Sequence, residues 1–277
     1  MTWRSTDFTL KDLSTSLGSM DPERCPLYLE AFREDYRAGA KAMRARIRKK
    51  WRAWIRAYST WDWEYPYERS LLASTSGFLA GVDEVGRGPL AGPVVAACVI
   101  LPPGYRIEAA RDSKGLSATV REEIYRSVVG RCLDYGIGMV GPRRIDATNI
   151  LEAALLAMRR AVEDLSVEPE LVLVDGNQTI PDLRCRQEPE VRGDERLPSV
   201  GAASVIAKVT RDSLMARYGH RYPGYGLERN KGYATSDHWE ALRRLGPSPI
   251  HRLSFLGRLR SERQLDLPFT GEGLPSP

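Results

Sequence analysis

Residues 78–101 read FLAGVDEVGRGPLAGPVVAACVIL. Two apolar, β-branched runs, 78–83 and 94–101, flank a segment rich in glycine and proline. Runs of this kind bounded by turn residues predict two strands joined by a tight connection. Working outward, 117–131 predicts a helix and 133–140 a third strand. Asn149 with Glu152 three residues on is a capping-box start. The helix behind it stacks Leu151, Leu155, Met158, Val162 and Leu165 on one side. Residues 170–174 (ELVLV) predict a buried strand ending at Asp175, and 187–191, poorer in apolar residues, a fifth strand at an edge. Helices follow over 200–218 and 236–245, the last stopped by Gly246-Pro247. Three early strands followed by helix–strand alternation predict an α/β fold, a mixed sheet covered by helices.

The chain has 277 residues, 42% hydrophobic and 28% charged, which supports a folded core and excludes wholesale disorder. Its longest apolar stretch, 93–103, is far short of the ~20 residues that cross a bilayer, and residues 1–15 carry no apolar leader, so no membrane role is expected. Cys25, Cys98, Cys132 and Cys185 form no CxxC pair and no zinc-type spacing. Reduced thiols and a cytoplasmic location follow as expectations. Residues 1–76 carry a net charge of +4 and residues 77–277 only +1. Eight basic residues and no acid fall within 41–61. Phe32, Tyr36, Met43, Ile47, Trp51 and Trp54 recur at helical spacing, so the basic residues take the other faces. Such a segment either attracts a polyanion in a salt-dependent way or is an ordinary solvated face. The aromatics Trp61, Trp63, Tyr65 and Tyr67 behind it are read as a docking contact. Three regions result: a basic, aromatic-rich helical extension over 1–76, an α/β domain over 77–258, and a flexible tail over 259–277.

Three positions carry acids at predicted strand ends: Asp83-Glu84, Asp175 and Asp194. In α/β sheets ligands gather at the carboxyl ends of strands. Crowded carboxylates take up protons unless a cation neutralises them. Oxygen donors without His or Cys select a hard ion, Mg²⁺ or Mn²⁺, and two such ions about 4 Å apart suit phosphodiester hydrolysis. One geometric condition stands against this grouping. Consecutive strand residues face opposite ways, so Asp83 and Glu84 share a centre only if the strand ends or twists there. The next segment, Gly86-Arg87-Gly88, fails as a dinucleotide fingerprint because its third glycine comes one position late, and as a P-loop because Arg-Gly replaces Lys-Ser/Thr. Bare backbone at the two glycines permits close approach to a ligand; a sugar hydroxyl suits it, and a plain tight turn is the other reading.

Taken together, residues 80–95 (AGVDEVGRGPLAGPVV) resemble the signature of ribonuclease HII, the type 2 ribonuclease H. The resemblance continues through Asp112-Ser113-Lys114, Leu173-Val174-Asp175-Gly176, Gly193-Asp194, Gly201-Ala202-Ala203-Ser204, Ala207-Lys208-Val209, Lys231-Gly232-Tyr233 and residues 250–255 (IHRLSF), in the family's order. It implies a ribonuclease H-like fold, a five-stranded mixed sheet flanked by helices with C-terminal helices. It implies cleavage of the RNA strand of RNA–DNA hybrids and nicking 5′ of single ribonucleotides embedded in duplex DNA, leaving a 5′-phosphate. Asp83, Glu84, Asp175 and Asp194 match the family's metal-binding acids; Asp212 competes for the fourth place by composition only. Gly86, Arg87 and Gly88 match the segment that grips the 2′-OH, Tyr233 the tyrosine that packs on the following deoxyribose, and Lys114 a phosphate contact. His251 falls in a family block and is read as structural; His220 and His238 are too dispersed to suggest a metal site. The extension is expected to add salt-sensitive affinity for the duplex, and a monomer is expected. Two other readings are a different polynucleotidyl nuclease of the same fold and a non-catalytic nucleic-acid-binding module. Sugar-sensing residues argue against the first, and four acids facing phosphates against the second.

Overall fold

The period of two along each strand sets which side chains meet which layer of helices. A computed structural model describes residues 37–58, 68, 70–71, 75, 77–102 and 117–257. Its sheet contains β1 (Phe78–Val85), β2 (Val94–Ile100), β3 (Asp134–Val140), β4 (Pro169–Asp175) and β5 (Arg186–Glu190). The spatial order is β3-β2-β1-β4-β5. β1, β2 and β3 form an antiparallel meander, whereas β4 lies parallel to β1 and β5 parallel to β4. The expected mixed five-stranded sheet is therefore present.

The helices are α1 (Ala38–Tyr58), α2 (Ala118–Arg131), α3 (Pro142–Ala147), α4 (Ile150–Glu163), α5 (Gly193–Arg196), α6 (Pro198–Arg221), α7 (Leu227–Asn230) and α8 (Ser236–Leu245), with a 3₁₀ turn over Leu253–Phe255. On β2 the alternation is plain. Val94, Ala96, Cys98 and Ile100 join the cluster that holds Ala157, Met158 and Ala161 of α4. Ala97 and Val99 join Ile124 and Val128 of α2 and Ala202, Val205 and Ile206 of α6. Asn149 caps α4 as its sequence predicts: its Oδ1 accepts from the Glu152 N–H at 2.9 Å. The return bond differs from a standard box, since Glu152 Oε1 accepts from the Asn149 side-chain amide at 2.7 Å. α6 lies directly on β1, where a Cβ added at Gly81 would come within 2.3 Å of the Ser199 backbone; only glycine permits that approach.

Within the extension, α1 buries Ala40, Met43 and Ile47 in the same cluster as Ala80 and Val82. Lys41, Arg46 and Lys49 on its other faces are exposed. Glu68 is buried as well, and its carboxylate accepts from the Ser199 N–H at 3.3 Å, at the start of α6. Burial pushes that carboxyl up to about 7. Phe32, Tyr36, the side chains of Trp51 and Trp54, the aromatic segment 61–67, Lys114 and the tail 259–277 lie outside the described residues. A third cluster (Leu90, Ala91, Met215, Tyr225, Leu242 and Ile250 among it) ties α7 and α8 to the segment that follows β1.

Candidate active site

Strand register brings the first two acids together. β1 and β4 run parallel with Val82 beside Val174 as the last paired rung. The next residue on each strand is an acid, Asp83 and Asp175, and in-register neighbours on parallel strands point to the same face. Glu84 is the residue that alternation assigns to the other face, and β1 does not end there: Glu84 still pairs with Ala96 and Val85 with Val95. The two carboxylates nevertheless meet, and the Asp83 side chain turns back so that Oδ1 accepts the Glu84 N–H at 2.7 Å. One carboxylate oxygen each from Asp83, Glu84 and Asp175 then lies within 4.8 Å of the others. Asp194, carried by the short α5, is buried beside them, its backbone N–H 3.4 Å from Asp175 Oδ1. Three of the four expected acids form one cluster, and the fourth lines the same cleft.

The electrostatics are those of a site built for a cation. Burial, then the charges of Glu84 and Asp175, raise Asp83 well above the usual carboxylate range, with Ser204 of α6 partly offsetting this through a hydrogen bond. Burial also raises Glu84, opposed by Arg87, whose Nη1 lies 3.2 Å from Glu84 Oε1. Glu84 Oε2 is buried with no hydrogen-bond partner. Three crowded carboxylates, one of them with an orphaned buried oxygen, fit a hard divalent ion, and Asp83, Glu84 and Asp175 offer oxygen alone.

The cleft measures about 440 Å³ and is lined by those acids with Arg121, Lys208 and Tyr233. Tyr233 is 40% exposed, with Lys208 Nζ 5.8 Å from its ring centre. Gly86, Arg87 and Gly88 do not line the cleft themselves but follow Val85, which does. Gly86 has φ +94°, a left-handed conformation that glycine alone takes without strain. Asp212 is not in the cleft lining; it pairs with Lys208 at 2.8 Å.

Sequence reasoning assigns no role at this site to several residues that shape it, although some of them stand in the quoted blocks. Ser204, Lys208, Arg211 and Met215 follow one another at spacings of four, three and four on α6, so one stripe of that helix touches Asp83, the cleft, and the layer beneath the glycine segment. That spacing is the signal that finds them. Arg211 and Arg252 are both fully buried. His238 and His251, thirteen positions apart, meet with their Nε2 atoms 3.0 Å apart. His251 Nδ1 accepts from the Ser248 N–H at 2.9 Å and His238 Nδ1 lies 2.9 Å from the Tyr233 carbonyl. The acceptor role of His251 Nδ1 puts its proton on Nε2, so the pair forms a neutral chain ending under Tyr233.

The family model described as Ribonuclease HII matches residues 80–257. A curated relative of that name from Leuconostoc mesenteroides subsp. mesenteroides is 49% identical over 191 residues, covering 69% of this chain and 75% of the relative. Another, from Clostridioides difficile, is 38% identical over 250 residues, covering 90% of this chain and 98% of its own length. Among solved structures, the ribonuclease H2 from Pyrococcus horikoshii OT3 superposes with a TM-score of 0.55 at 27% identity, covering 66% of this chain and 97% of that one. With its acids on adjoining parallel strand ends and a family match that runs from β1 past the 3₁₀ turn, the chain belongs to the ribonuclease HII family, endoribonucleases that act on RNA–DNA hybrids with divalent metal.

Proposed function

We propose that this enzyme, besides cutting the RNA strand of hybrids, nicks duplex DNA 5′ of a single embedded ribonucleotide and leaves a 5′-phosphate, the entry step for removing ribonucleotides from DNA. The observation that carries the reading is the convergence of Asp83, Glu84 and Asp175 oxygens within 4.8 Å in the cleft that also presents Tyr233. Asp83, Glu84, Asp175 and Asp194 hold two ions, Mg²⁺ or Mn²⁺. When bound, such ions neutralise the acids, polarise the phosphodiester and lower the pKa of water for in-line attack. The backbone of Gly86, Arg87 and Gly88 contacts the 2′-OH, and the Tyr233 ring packs on the following deoxyribose, where a hydroxyl would not fit. Sensing and cutting groups leave the same strand end only two residues apart, so the position of the sugar fixes the position of the bond to be broken. Lys208 supplies positive charge to the cleft, and Lys114 contacts a phosphate. The exposed basic face of α1 adds affinity for the duplex in a salt-dependent way. The protein works as a cytoplasmic monomer.

A single gel tests this. Labelled DNA duplex with one ribonucleotide, the all-DNA duplex and a full hybrid are incubated with Mg²⁺ or with chelator. The expected result is metal-dependent cutting of the first and third only, with a 5′-phosphate on the downstream product. Equal cutting of all three supports a general nuclease of this fold; binding without cutting supports a non-catalytic module.

A further inference from the structure

Two cations sit where the proposed chemistry does not use them. Arg211 of α6 and Arg252, just before the 3₁₀ turn, are fully buried. Among the described residues neither has a carboxylate at ion-pair distance. A buried guanidinium is costly unless its donors are matched. Here the donors are matched by backbone carbonyls, and each guanidinium also lies by a ring, Arg211 at 5.7 Å from the Tyr233 ring centre and Arg252 at 5.2 Å from that of Phe255. Arg252 donates from Nη2 to Gly86 at 2.6 Å, from Nη1 to Arg87 at 2.8 Å and from Nε to Gly92 at 3.0 Å. Arg211 donates from Nε to Pro93 at 3.1 Å, from Nη2 to Ala91 at 3.1 Å and from Nη1 to Lys231 at 3.0 Å.

These six bonds join two segments that are far apart in sequence but must act on adjacent sugars. Arg252 holds the glycine–arginine–glycine segment. Arg211 spans from that segment's far end to Lys231, two residues before Tyr233. Backbone bonds close the unit: the Leu90 N–H donates to Gly232 at 2.8 Å, the Gly92 N–H to Ile250 at 2.8 Å and the Arg252 N–H to Leu90 at 2.8 Å. The direction of the bonds matters too. In a trans peptide the N–H points opposite to the C=O. With the carbonyls of Gly86 and Arg87 turned inward onto Arg252, the N–H groups of Arg87 and Gly88 turn away from it. Both of those residues are exposed. Two successive outward donors make a small concave surface for an oxygen acceptor.

We propose that Arg211 and Arg252 are positioning residues for sugar discrimination: they fix the distance between the Arg87 and Gly88 donors and the Tyr233 ring and aim those donors at the ribose. This rests on the ribonucleotide-nicking reading above and deepens it. The property required is the planar five-donor fork, which lysine lacks although it keeps the charge. Arg211→Lys and Arg252→Lys are therefore the decisive variants.

For each, kcat and KM are measured on the duplex with one ribonucleotide, together with residual cutting of the all-DNA duplex and Mn²⁺ affinity by calorimetry. Loosened positioning is expected to lower kcat on the ribonucleotide duplex by about 10–100-fold. KM and Mn²⁺ affinity should stay close to wild type, and the preference for ribose should shrink. A merely structural role would move stability and leave the preference intact. Wild-type kcat and preference in both lysine variants would overturn the proposal. If the variants do not fold, hydrogen exchange on the wild type decides. The Leu90, Gly92 and Arg252 amides should exchange as slowly as β1 without substrate, and exchange at loop rates would overturn the proposal. A wild-type protein that cuts DNA and ribonucleotide duplexes alike would overturn the functional reading itself, which is a different result from lysine variants that match a selective wild type.

Discussion

Replacing Asp83 by Asn should stabilise this protein in chelator while abolishing its cleavage activity. The magnitude follows from the cluster. Two like charges 4.8 Å apart repel by about 3 kcal/mol at an effective dielectric constant of ~20, and Asp83 has two such neighbours. Protonation caps the cost, since holding an ordinary Asp neutral at pH 7 takes about 4 kcal/mol. The raised position of Asp83 means that the metal-free fold carries much of that strain. Asn keeps an oxygen that can accept the Glu84 N–H, so the relief outweighs the loss, giving roughly 2–3 kcal/mol. For a domain of this size each kcal/mol moves Tm by about 2–4 °C. Thermal melts of wild type and variant in chelator should therefore differ by roughly 5 °C or more in the variant's favour. Saturating Mg²⁺ should reverse the order, because a ligand stabilises the state that binds it and the variant binds it weakly. Cleavage of the hybrid should fall on the order of 10³-fold or more, as when a principal electrostatic group is removed. A variant that melts below wild type in chelator, or gains as much from Mg²⁺, would refute the idea that these acids form a cation site.

The two glycines of the segment proposed to sense the sugar should separate recognition from stability. A Cβ added at Gly88 meets nothing within 4 Å, whereas one at Gly86 would press on Arg211 at 2.3 Å with φ at +94°. Gly88→Ala should then change stability by less than about 0.5 kcal/mol yet cut turnover on the ribonucleotide duplex, while Gly86→Ala should lower Tm outright; equal Tm losses would contradict the assignment. Burial, and then the neighbouring His238 imidazole, push His251 down to about 4. Unfolded His takes its proton near 6.5, so stability is complete above that pH and falls by up to about 3 kcal/mol as pH drops to 4. Urea titrations across this range should show that slope in wild type and a shallower one in His251→Gln. On α1, Lys41, Arg46 and Lys49 are better changed to Gln than deleted with the extension, because Met43 and Ile47 belong to the core. The log–log salt slope of hybrid binding should become shallower by about 0.9 for each phosphate that the variant no longer neutralises; an unchanged slope would remove α1 from the interface.

Most of the sheet is readable from the chain because its strands are short apolar runs between turn residues. All five expected strands fall within about two residues of their observed ends, and Ser117, Asn149 and Thr235 cap helices with their own side chains. The short helices α3, α5 and α7 escape notice since four to six residues cannot display a period. α6 begins at Pro198, earlier than its apolar pattern suggests, because proline is well tolerated in the first turn. The acids are visible as strand-end residues, but alternation alone separates Asp83 from Glu84. Their meeting depends on side-chain conformation at the strand end, a detail no periodicity encodes. Arg211 and Arg252 are hidden for a different reason. An arginine whose partners are carbonyls looks like any surface arginine in composition, and its burial is a property of loops that meet from distant parts of the sequence.

Burial of this kind bears on how the site achieves selectivity. The acid cluster is built by strand register, which the two hydrophobic layers enforce, since a one-residue slip would turn every side chain to the wrong face. The segment proposed to sense the sugar has no such enforcement: residues 86–93 leave the sheet and contribute few apolar contacts beyond Leu90 and Ala91. Left to solvent, such a segment would sample many conformations, and the distance from its amides to the acids would vary. Hydrophobic burial cannot remedy this, because it has no direction. Directional bonds can, and two guanidinium groups supply five of them to this stretch of backbone and a sixth to the Lys231 carbonyl, so the stretch holds its shape by carbonyl rather than by side chain. The division of labour is then between an apolar sheet that holds the acids and a polar, buried scaffold that holds the groups proposed to measure the sugar. α6 serves both, with Ser204 on Asp83 and Arg211 two turns further along on the loop, so a shift of that helix would disturb cleavage and recognition together.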